Sequence, residues 1–120
     1  MVECVVKFVL RNGGAELVQV TVSGHPGSGT STLVRSLCDV KGWSSINGGD
    51  IFREEARRRN LTLETFSKLC IDDEKIDLDL DKELQNRMTM ENGPEVVESR
   101  LAGWWAHRLE INCVRIWLEV

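Results

Sequence analysis

The stretch that decides the fold is LVQVTVSGHPGSGTST, residues 17–32. Residues 17–23 alternate in polarity and are rich in β-branched side chains, which predicts a strand. The glycine-dense segment GHPGSGTS, residues 24–31, follows at once. A helix is predicted next, because four apolar side chains share one face at helical spacing: Leu33, Val34, Leu37 and Cys38. Gly42 is positioned to end that helix.

The glycine segment has the spacing G-x-x-x-x-G-x-[ST] of a P-loop. Its glycines let the backbone form a concave nest of N–H groups, and the following helix N-terminus adds partial positive charge. Ser31 stands where a hydroxyl ligates Mg²⁺ beside bound phosphates. Thr30 replaces the usual lysine and offers a hydrogen bond instead of a charge. We expect a phosphate site here; the alternative is a glycine-rich turn without a ligand. Its residues are Gly24, His25, Pro26, Gly27, Ser28, Gly29, Thr30, Ser31 and Thr32.

The remainder of the chain alternates strands with helices. We expect a short strand at 43–46, a loop at 47–50, helices from 51 to 90 with Thr62 as an N-cap, and strands at 95–98 and 114–120. Helices between strands indicate parallel pairing and an α/β layer fold. An apolar stripe at every fourth residue marks one helix: Ile76, Leu80, Leu84 and Met88. Beside it lies an acidic cluster over 72–81, for which a solvated helix face is favoured over a metal site.

Two further clusters carry charge at predicted strand ends. In GDIFR, residues 49–53, Arg53 can fork a phosphate with two hydrogen bonds, although an arginine-rich helix face is more often solvated. In ESRLAGW, residues 98–104, Glu98 and Arg100 follow a strand, and ligands of open α/β sheets bind at the carboxyl ends of strands. A buried ion pair between Glu98 and Arg100 is the alternative interpretation.

Composition excludes several classes of protein. The chain has 120 residues, 42% of them hydrophobic, and a net charge of −4. These values argue against disorder and against a general binder of nucleic acid or membrane surfaces. The four cysteines have no metal-ligand spacing and are interpreted as buried free thiols of a cytoplasmic protein.

Five segments in register resemble the archaeal-type cytidylate kinases: GHPGSGTST, GDIFREEARRR, LTLETFSKLCIDDEKIDLDLDKEL, ESRLAGWWA and VRIWLEV. That family commonly carries threonine at the lysine position of the loop. The resemblance covers about residues 17–120 and implies a three-layer P-loop fold with a parallel sheet and a helical insertion for the acceptor nucleotide, at about 50–92.

The resemblance implies transfer of the ATP γ-phosphoryl group to CMP or dCMP with Mg²⁺. Residues 24–32 would hold ATP, Ser31 would ligate the metal, and Glu98 would orient metal-bound water. Arg53 and Arg100 would bind the acceptor phosphate. Asp50 would belong to the same substrate-binding part of the protein. We expect small-molecule nucleotides as partners, and neither a nucleic acid polymer nor a membrane. The sequence does not indicate an oligomeric state.

Two departures from the family affect the expectations. Family members continue beyond residue 120 with an arginine-bearing lid, so we expect an incomplete kinase domain whose strand at 114–120 leaves an open edge. Residues 1–16 have no counterpart in the family. They spell a hairpin with strand 17–22 around Asn12-Gly13, but we expect a disordered leader or an over-long start. Another small P-loop kinase of nucleoside monophosphates and a non-catalytic nucleotide-binding remnant remain the alternative functions.

Overall fold

The computed structural model describes the backbone of residues 3–7 together with residues 18–25 and 27–119. Five strands and five helices follow one another along these ranges. They are β1 (Glu3–Lys7), β2 (Val20–Gly24), α1 (Thr30–Lys41), β3 (Ser45–Asn47), α2 (Gly48–Arg58), α3 (Leu63–Asp72), α4 (Glu74–Thr89), β4 (Val96–Glu98), α5 (Ala102–Arg108) and β5 (Val114–Glu119).

The strands form one sheet in the order β1-β5-β2-β4-β3. β2 pairs in parallel with both β4 and β5, and β3 pairs in parallel with β4. The predicted α/β fold with a parallel sheet is therefore confirmed. Because β2 is central, the loop that follows it opens at the carboxyl ends of its two neighbours, where ligands of such sheets bind.

The amino-terminal segment corrects two expectations. β1 pairs antiparallel with β5, with Glu3 opposite Glu119 and Lys7 opposite Arg115. The leader is thus ordered over residues 3–7, and the outer edge of β5 is covered over this register rather than open. The hairpin with β2, which was not expected, is not observed, because both neighbours of β2 are parallel strands. The turn at 12–13 lies outside the described residues.

Helices cover both faces of the sheet. On one face α1 packs through Val34, which lies in a cluster with Val20, Val22 and Val96. The apolar face predicted for α1 is confirmed, since Leu33, Leu37 and Cys38 pack against the same cluster. Gly42 ends the helix with a left-handed φ of 68°. On the other face, Ala102 and Ala106 of α5 are fully buried in a cluster with Val97.

Helices α2, α3 and α4 form a layer with its own small core. Phe66 is fully buried there among Ala56, Cys70 and Ile76. The apolar stripe of α4 is confirmed: Ile76, Leu84 and Met88 are buried, and Leu80 is half-buried. Thr62 caps α3 by accepting a hydrogen bond from the Thr65 amide, as predicted.

The loop expected at 47–50 is wrong, because α2 begins at Gly48. Asn47 is its N-cap and accepts a hydrogen bond from the Asp50 amide at 2.7 Å. The Asp50 carboxylate accepts one from the Asn47 amide in return. This reciprocal capping box overrides the two glycines that suggested a loop.

Cys38, Cys70 and Cys113 are free thiols, the last two buried and the first half-buried. The side chain of Cys4 lies outside the described residues. Among the helices that the structure describes, none is long and apolar enough to cross a membrane.

Candidate functional site

The loop between β2 and α1 is shaped by glycine and leads directly into the start of a helix. Gly27 and Gly29 adopt left-handed φ values of 81° and 92°, which glycine reaches without strain. Gly29 is the N-cap of α1, and no side chain caps the helix. The first amides of an α-helix have no acceptor within the helix. They are therefore available to an anion, and the helix dipole adds positive potential at the same place.

Gly24 holds the start of this loop close to the end of β5. A Cβ on Gly24 would lie 2.6 Å from Ser28 Oγ and 2.8 Å from the Leu118 carbonyl oxygen. Both distances are shorter than real side chains tolerate, and one neighbour is backbone. The loop can pack this closely against β5 only with glycine at position 24.

Ser31, on the first turn of α1, meets the end of β4. Its hydroxyl donates a hydrogen bond of 3.2 Å to Glu98 Oε2. Both residues line an open cavity of about 370 Å³ whose wall also includes Gly24, His25, Thr30 and Arg100. We call this space the P-loop cavity. The structure brings four residues of the predicted phosphate site together here with Glu98 and Arg100.

Arg100 lies on the rim of the P-loop cavity as an exposed side chain. Within the described part of the chain it has no ion pair; the Glu98 carboxylate accepts from Ser31 instead. The alternative of a Glu98–Arg100 ion pair is thus not observed. An arginine without a carboxylate partner has its full set of N–H donors free for a ligand.

Asp50 and Arg53 lie outside the wall of the P-loop cavity. Asp50 completes the capping box of α2 and also accepts a hydrogen bond of 2.6 Å from Arg53 Nη2. Both residues line a neighbouring cavity of about 700 Å³ that also includes Arg57 and Arg87. Arg53 nevertheless stays near the site, because its Nη1 is 3.2 Å from the position of a Cβ on Gly49.

Six wall residues of the P-loop cavity were not among the predicted site residues. Val22, Ser23 and Ser99 lie at the ends of β2 and β4, and the other three surround the start of α2: Asn47, Gly48 and Gly49. The signal that would have found these three is the spacing of Asn47 and Asp50, which matches a capping box at a helix start. Five predicted members of the phosphate site are not placed in the wall: Pro26, Gly27, Ser28, Gly29 and Thr32. Pro26 lies outside the described residues, and Thr32 is exposed on α1.

A further cavity, of about 440 Å³, adjoins the P-loop cavity and shares Gly48, Ser99 and Arg100 with it. Helices α2, α4 and α5 form its walls. Asp81 of α4 lines it, and burial, followed by the neighbouring Asp77 carboxylate, raises the pKa of Asp81 above its usual range. The rest of the acidic cluster is exposed, in agreement with the predicted solvated helix face.

The side-chain oxygens in the P-loop cavity are of the kind that can bind a magnesium ion. Ser31 and Glu98 offer hydroxyl and carboxylate oxygens, the ligand type that Mg²⁺ prefers. Groups of three or more His, Cys, Asp or Glu side chains able to hold a metal are absent from the part of the chain that the structure describes. Mg²⁺ commonly keeps several waters and binds through one or two protein oxygens together with substrate phosphates. The pair is therefore a sufficient protein contribution for that ion.

Comparison with known proteins finds several cytidylate kinases that are similar to this chain. It is 48% identical over 101 residues to a cytidylate kinase of Halobacterium salinarum, covering 83% of this chain and 50% of the relative. It is 43% identical over 99 residues to a cytidylate kinase of Haloarcula marismortui, covering 82% and 50%. A third, of Methanosarcina acetivorans, is 42% identical over 102 residues, covering 85% and 56%.

These similarities confirm the resemblance that the five sequence segments carry. The chain spans about half the length of the curated relatives it matches. Comparison with solved structures gave no significant match. The family described as "AAA domain" matches residues 23–113, which include the P-loop, the Ser31–Glu98 contact and the start of β5. The chain therefore belongs to the AAA domain family.

Proposed function

We propose that this chain is the nucleotide-binding part of a cytidylate kinase that transfers the γ-phosphoryl group of ATP to CMP or dCMP. The observation that carries the proposal is the contact between Ser31 and Glu98 at the mouth of an uncapped helix. It combines anion-binding amides with metal-binding oxygens in one cavity. The similarity to cytidylate kinases over more than four-fifths of the chain supports the choice of acceptor.

On this proposal the backbone amides at the start of α1 bind the β- and γ-phosphates of ATP. Thr30 contributes a hydrogen bond where a lysine would contribute charge. Ser31 and Glu98 would hold Mg²⁺, and that ion would neutralise charge on the phosphate oxygens. Arg100, at the cavity rim, donates two parallel hydrogen bonds to the acceptor phosphate. Arg53 of α2 binds the same phosphate.

The reaction requires little covalent work from these side chains. The bond between the γ-phosphorus and the β-bridging oxygen breaks, and a bond to an oxygen of the acceptor phosphate forms, giving ADP and CDP or dCDP. The protein contributes alignment of the two phosphates and neutralisation of their charge. Arg100 supplies both, because its planar fork fixes the acceptor oxygens while its charge offsets theirs.

The direct test is ADP formation from ATP and Mg²⁺ with CMP, dCMP, UMP and AMP as separate acceptors. In a kinase that contains this part, we expect turnover with CMP and dCMP only. Equal turnover with AMP would indicate another kinase of nucleoside monophosphates. ATP binding by calorimetry without acceptor-dependent ADP would indicate a nucleotide-binding protein without transfer activity. Glu98→Gln is the matched variant, since it keeps the shape of the side chain and removes the charge that holds the metal.

A further inference from the structure

His25 of the P-loop makes an aromatic contact with the neighbouring strand β5. The ring centres of His25 and Trp117 lie 5.3 Å apart, and the two ring planes are inclined at 85°. Aromatic pairs favour this edge-to-face arrangement, because the positive edge of one ring meets the negative face of the other. The contact therefore joins the loop that follows β2 to a side chain of the strand beside it.

The register of the sheet explains why these two rings meet. Trp117 lies directly opposite Ser23 in the parallel pair of β2 and β5. His25 follows Ser23 by two residues, just past the end of β2, and alternate residues of an extended chain share a face. Strand pairing thus brings the indole ring next to the His25 side chain at the carboxyl edge of the sheet.

The indole ring of Trp117 is itself held in place. Its Nε1 atom donates a hydrogen bond of 2.9 Å to Glu119 Oε1, two residues further along β5. In the described part of the chain, Trp117 lines an adjoining cavity of about 680 Å³ and not the P-loop cavity. His25 does line the P-loop cavity. Any effect of Trp117 on a ligand in that cavity therefore has to pass through His25.

The backbone of His25 also shapes the P-loop. Its carbonyl oxygen accepts a hydrogen bond of 3.1 Å from the amide of Ser28, a residue that is buried beneath the loop. Glycine reaches both signs of φ, so a loop with three glycines has many conformations open to it unless contacts restrict them. The His25 side chain is exposed to solvent, and the Trp117 ring limits where it can lie.

Resting on the proposed function, we propose that Trp117 is a positioning residue for ATP, which holds the P-loop through His25 in the shape that receives the phosphates. A loop that is ordered before binding loses less conformational entropy when the ligand arrives. Affinity then rises without any further contact to the ligand. Glu119 belongs to the same device, because its hydrogen bond fixes the orientation of the indole ring.

The test is a double-mutant cycle on ATP affinity, measured by calorimetry on the 120-residue chain in the presence of Mg²⁺. Trp117→Leu and His25→Ala should each weaken ATP binding about three- to tenfold, the effect of losing one aromatic pair. The double variant should bind no more weakly than the weaker single variant, since both substitutions remove the same contact. Trp43→Phe, placed after the opposite end of α1, is the control and should leave ATP affinity unchanged.

A pair of substitutions at His25 gives a second arm that does not disturb the core, because His25 is exposed. His25→Phe keeps a ring against Trp117 but cannot donate a hydrogen bond to a phosphate, whereas His25→Leu keeps neither. ATP affinity should stay within about twofold in His25→Phe and fall about three- to tenfold in His25→Leu.

Two results would overturn this inference alone while leaving the proposed function in place. The first is equal weakening in His25→Phe and His25→Leu, which would show that the imidazole acts on the ligand directly. The second is a double variant whose loss equals the product of the two single losses, which would show that Trp117 and His25 act independently. Failure of the unaltered chain to bind ATP would overturn the proposed function together with the inference.

Discussion

The Ser31 hydroxyl on the first turn of α1 lies 3.2 Å from Glu98 Oε2 at the end of β4, although 67 positions separate the two residues in the chain. The parallel pairing of β2 with β4 produces this contact, because it brings the carboxyl ends of both strands to one edge of the sheet. A hydroxyl oxygen and a carboxylate oxygen thus lie close together beside the start of α1.

Ser31→Ala should weaken binding of Mg²⁺–ATP about tenfold and binding of metal-free ATP much less. On the proposed function, the variant removes a metal ligand but leaves the backbone amides that would hold the phosphates. Calorimetric titration with and without Mg²⁺ measures the difference. Ser36→Ala, an exposed position on the same helix, is the control and should change neither value. Equal weakening of both forms by Ser31→Ala would contradict the metal-ligand role.

Arg100→Lys should impair CMP binding nearly as much as Arg100→Ala. An ammonium group keeps the charge but cannot reproduce the planar fork that binds two phosphate oxygens. Titration with CMP compares the two variants, and we expect at least a tenfold loss in both. Arg35→Lys on the exposed side of α1 serves as the control. Wild-type affinity in Arg100→Lys would mean that Arg100 acts only as a charge.

Gly24→Ala should disrupt the P-loop, because a Cβ there meets Ser28 Oγ and the Leu118 carbonyl oxygen at less than 3 Å. We expect destabilisation by about 1–3 kcal/mol, the usual range for overpacking, together with loss of ATP binding. Chemical unfolding and ATP titration measure the two effects. Gly103→Ala is the matched control, since a Cβ there has its nearest neighbour at an ordinary 3.6 Å. A fully stable Gly24→Ala that binds ATP would refute the close-packing argument.

Glu55→Gln should reduce stability at neutral pH by about 1 kcal/mol. Hydrogen bonds from Arg58 and Arg59 lower the pKa of Glu55 from 4.5 to about 2 in the folded protein. Because this folded pKa lies below the unfolded one, the stabilisation is complete above about pH 4.5 and is lost as the pH falls towards 2. Thermal unfolding should therefore separate variant and wild type at pH 7 and not at pH 2.

Glu64→Gln tests whether a single exposed ion pair would act in the same way. Glu64 lies 3.6 Å from Lys68 on the surface of α3, and both side chains are largely exposed. We expect a difference of less than about 0.5 kcal/mol at any pH. A Glu55→Gln effect that persists undiminished at pH 2 would contradict the role of the ionised carboxylate.

Removal of residues 1–7 should promote self-association. β1 pairs with β5 over five residues, and its loss would expose the backbone donors and acceptors of an edge strand. Sedimentation velocity of the shortened and full chains at equal concentration measures the effect. The shortened chain should sediment as dimers or larger species at concentrations where the full chain does not. A shortened chain that stays monomeric would show that β5 is protected by other means.

The strand, glycine turn and helix of residues 17–42 could be predicted because each signal is local. β-branched alternation, glycine spacing and helical periodicity are all contained within that stretch. The proximity of Ser31, Glu98 and Arg100 could also be predicted, because parallel strands bring their carboxyl ends to the same edge of the sheet. Both predictions rest on sequence pattern and strand order alone, so they do not depend on the conformation of any single side chain.

The features that were missed depend on pairings that local patterns do not encode. β1 pairs with β5 across more than 100 residues, whereas the Asn12-Gly13 signal favoured the nearest strand. The position of Arg53 depends on one hydrogen bond to Asp50, so its type and spacing could not show that it lies outside the P-loop cavity. Asn47 was assigned to a loop because the glycines beside it outweighed its capping role.

The start of α1, which has no side-chain cap, also couples ligand occupancy to folding. A helix normally gains stability from the group that caps it, and here that group would be the bound phosphate. Any ligand that binds only the folded state stabilises it by mass action, by about 2.7 kcal/mol at a hundredfold excess over its Kd. The amount of folded chain would then rise and fall with the nucleotide concentration around it. The abundance of the protein would therefore depend on how much nucleotide is available.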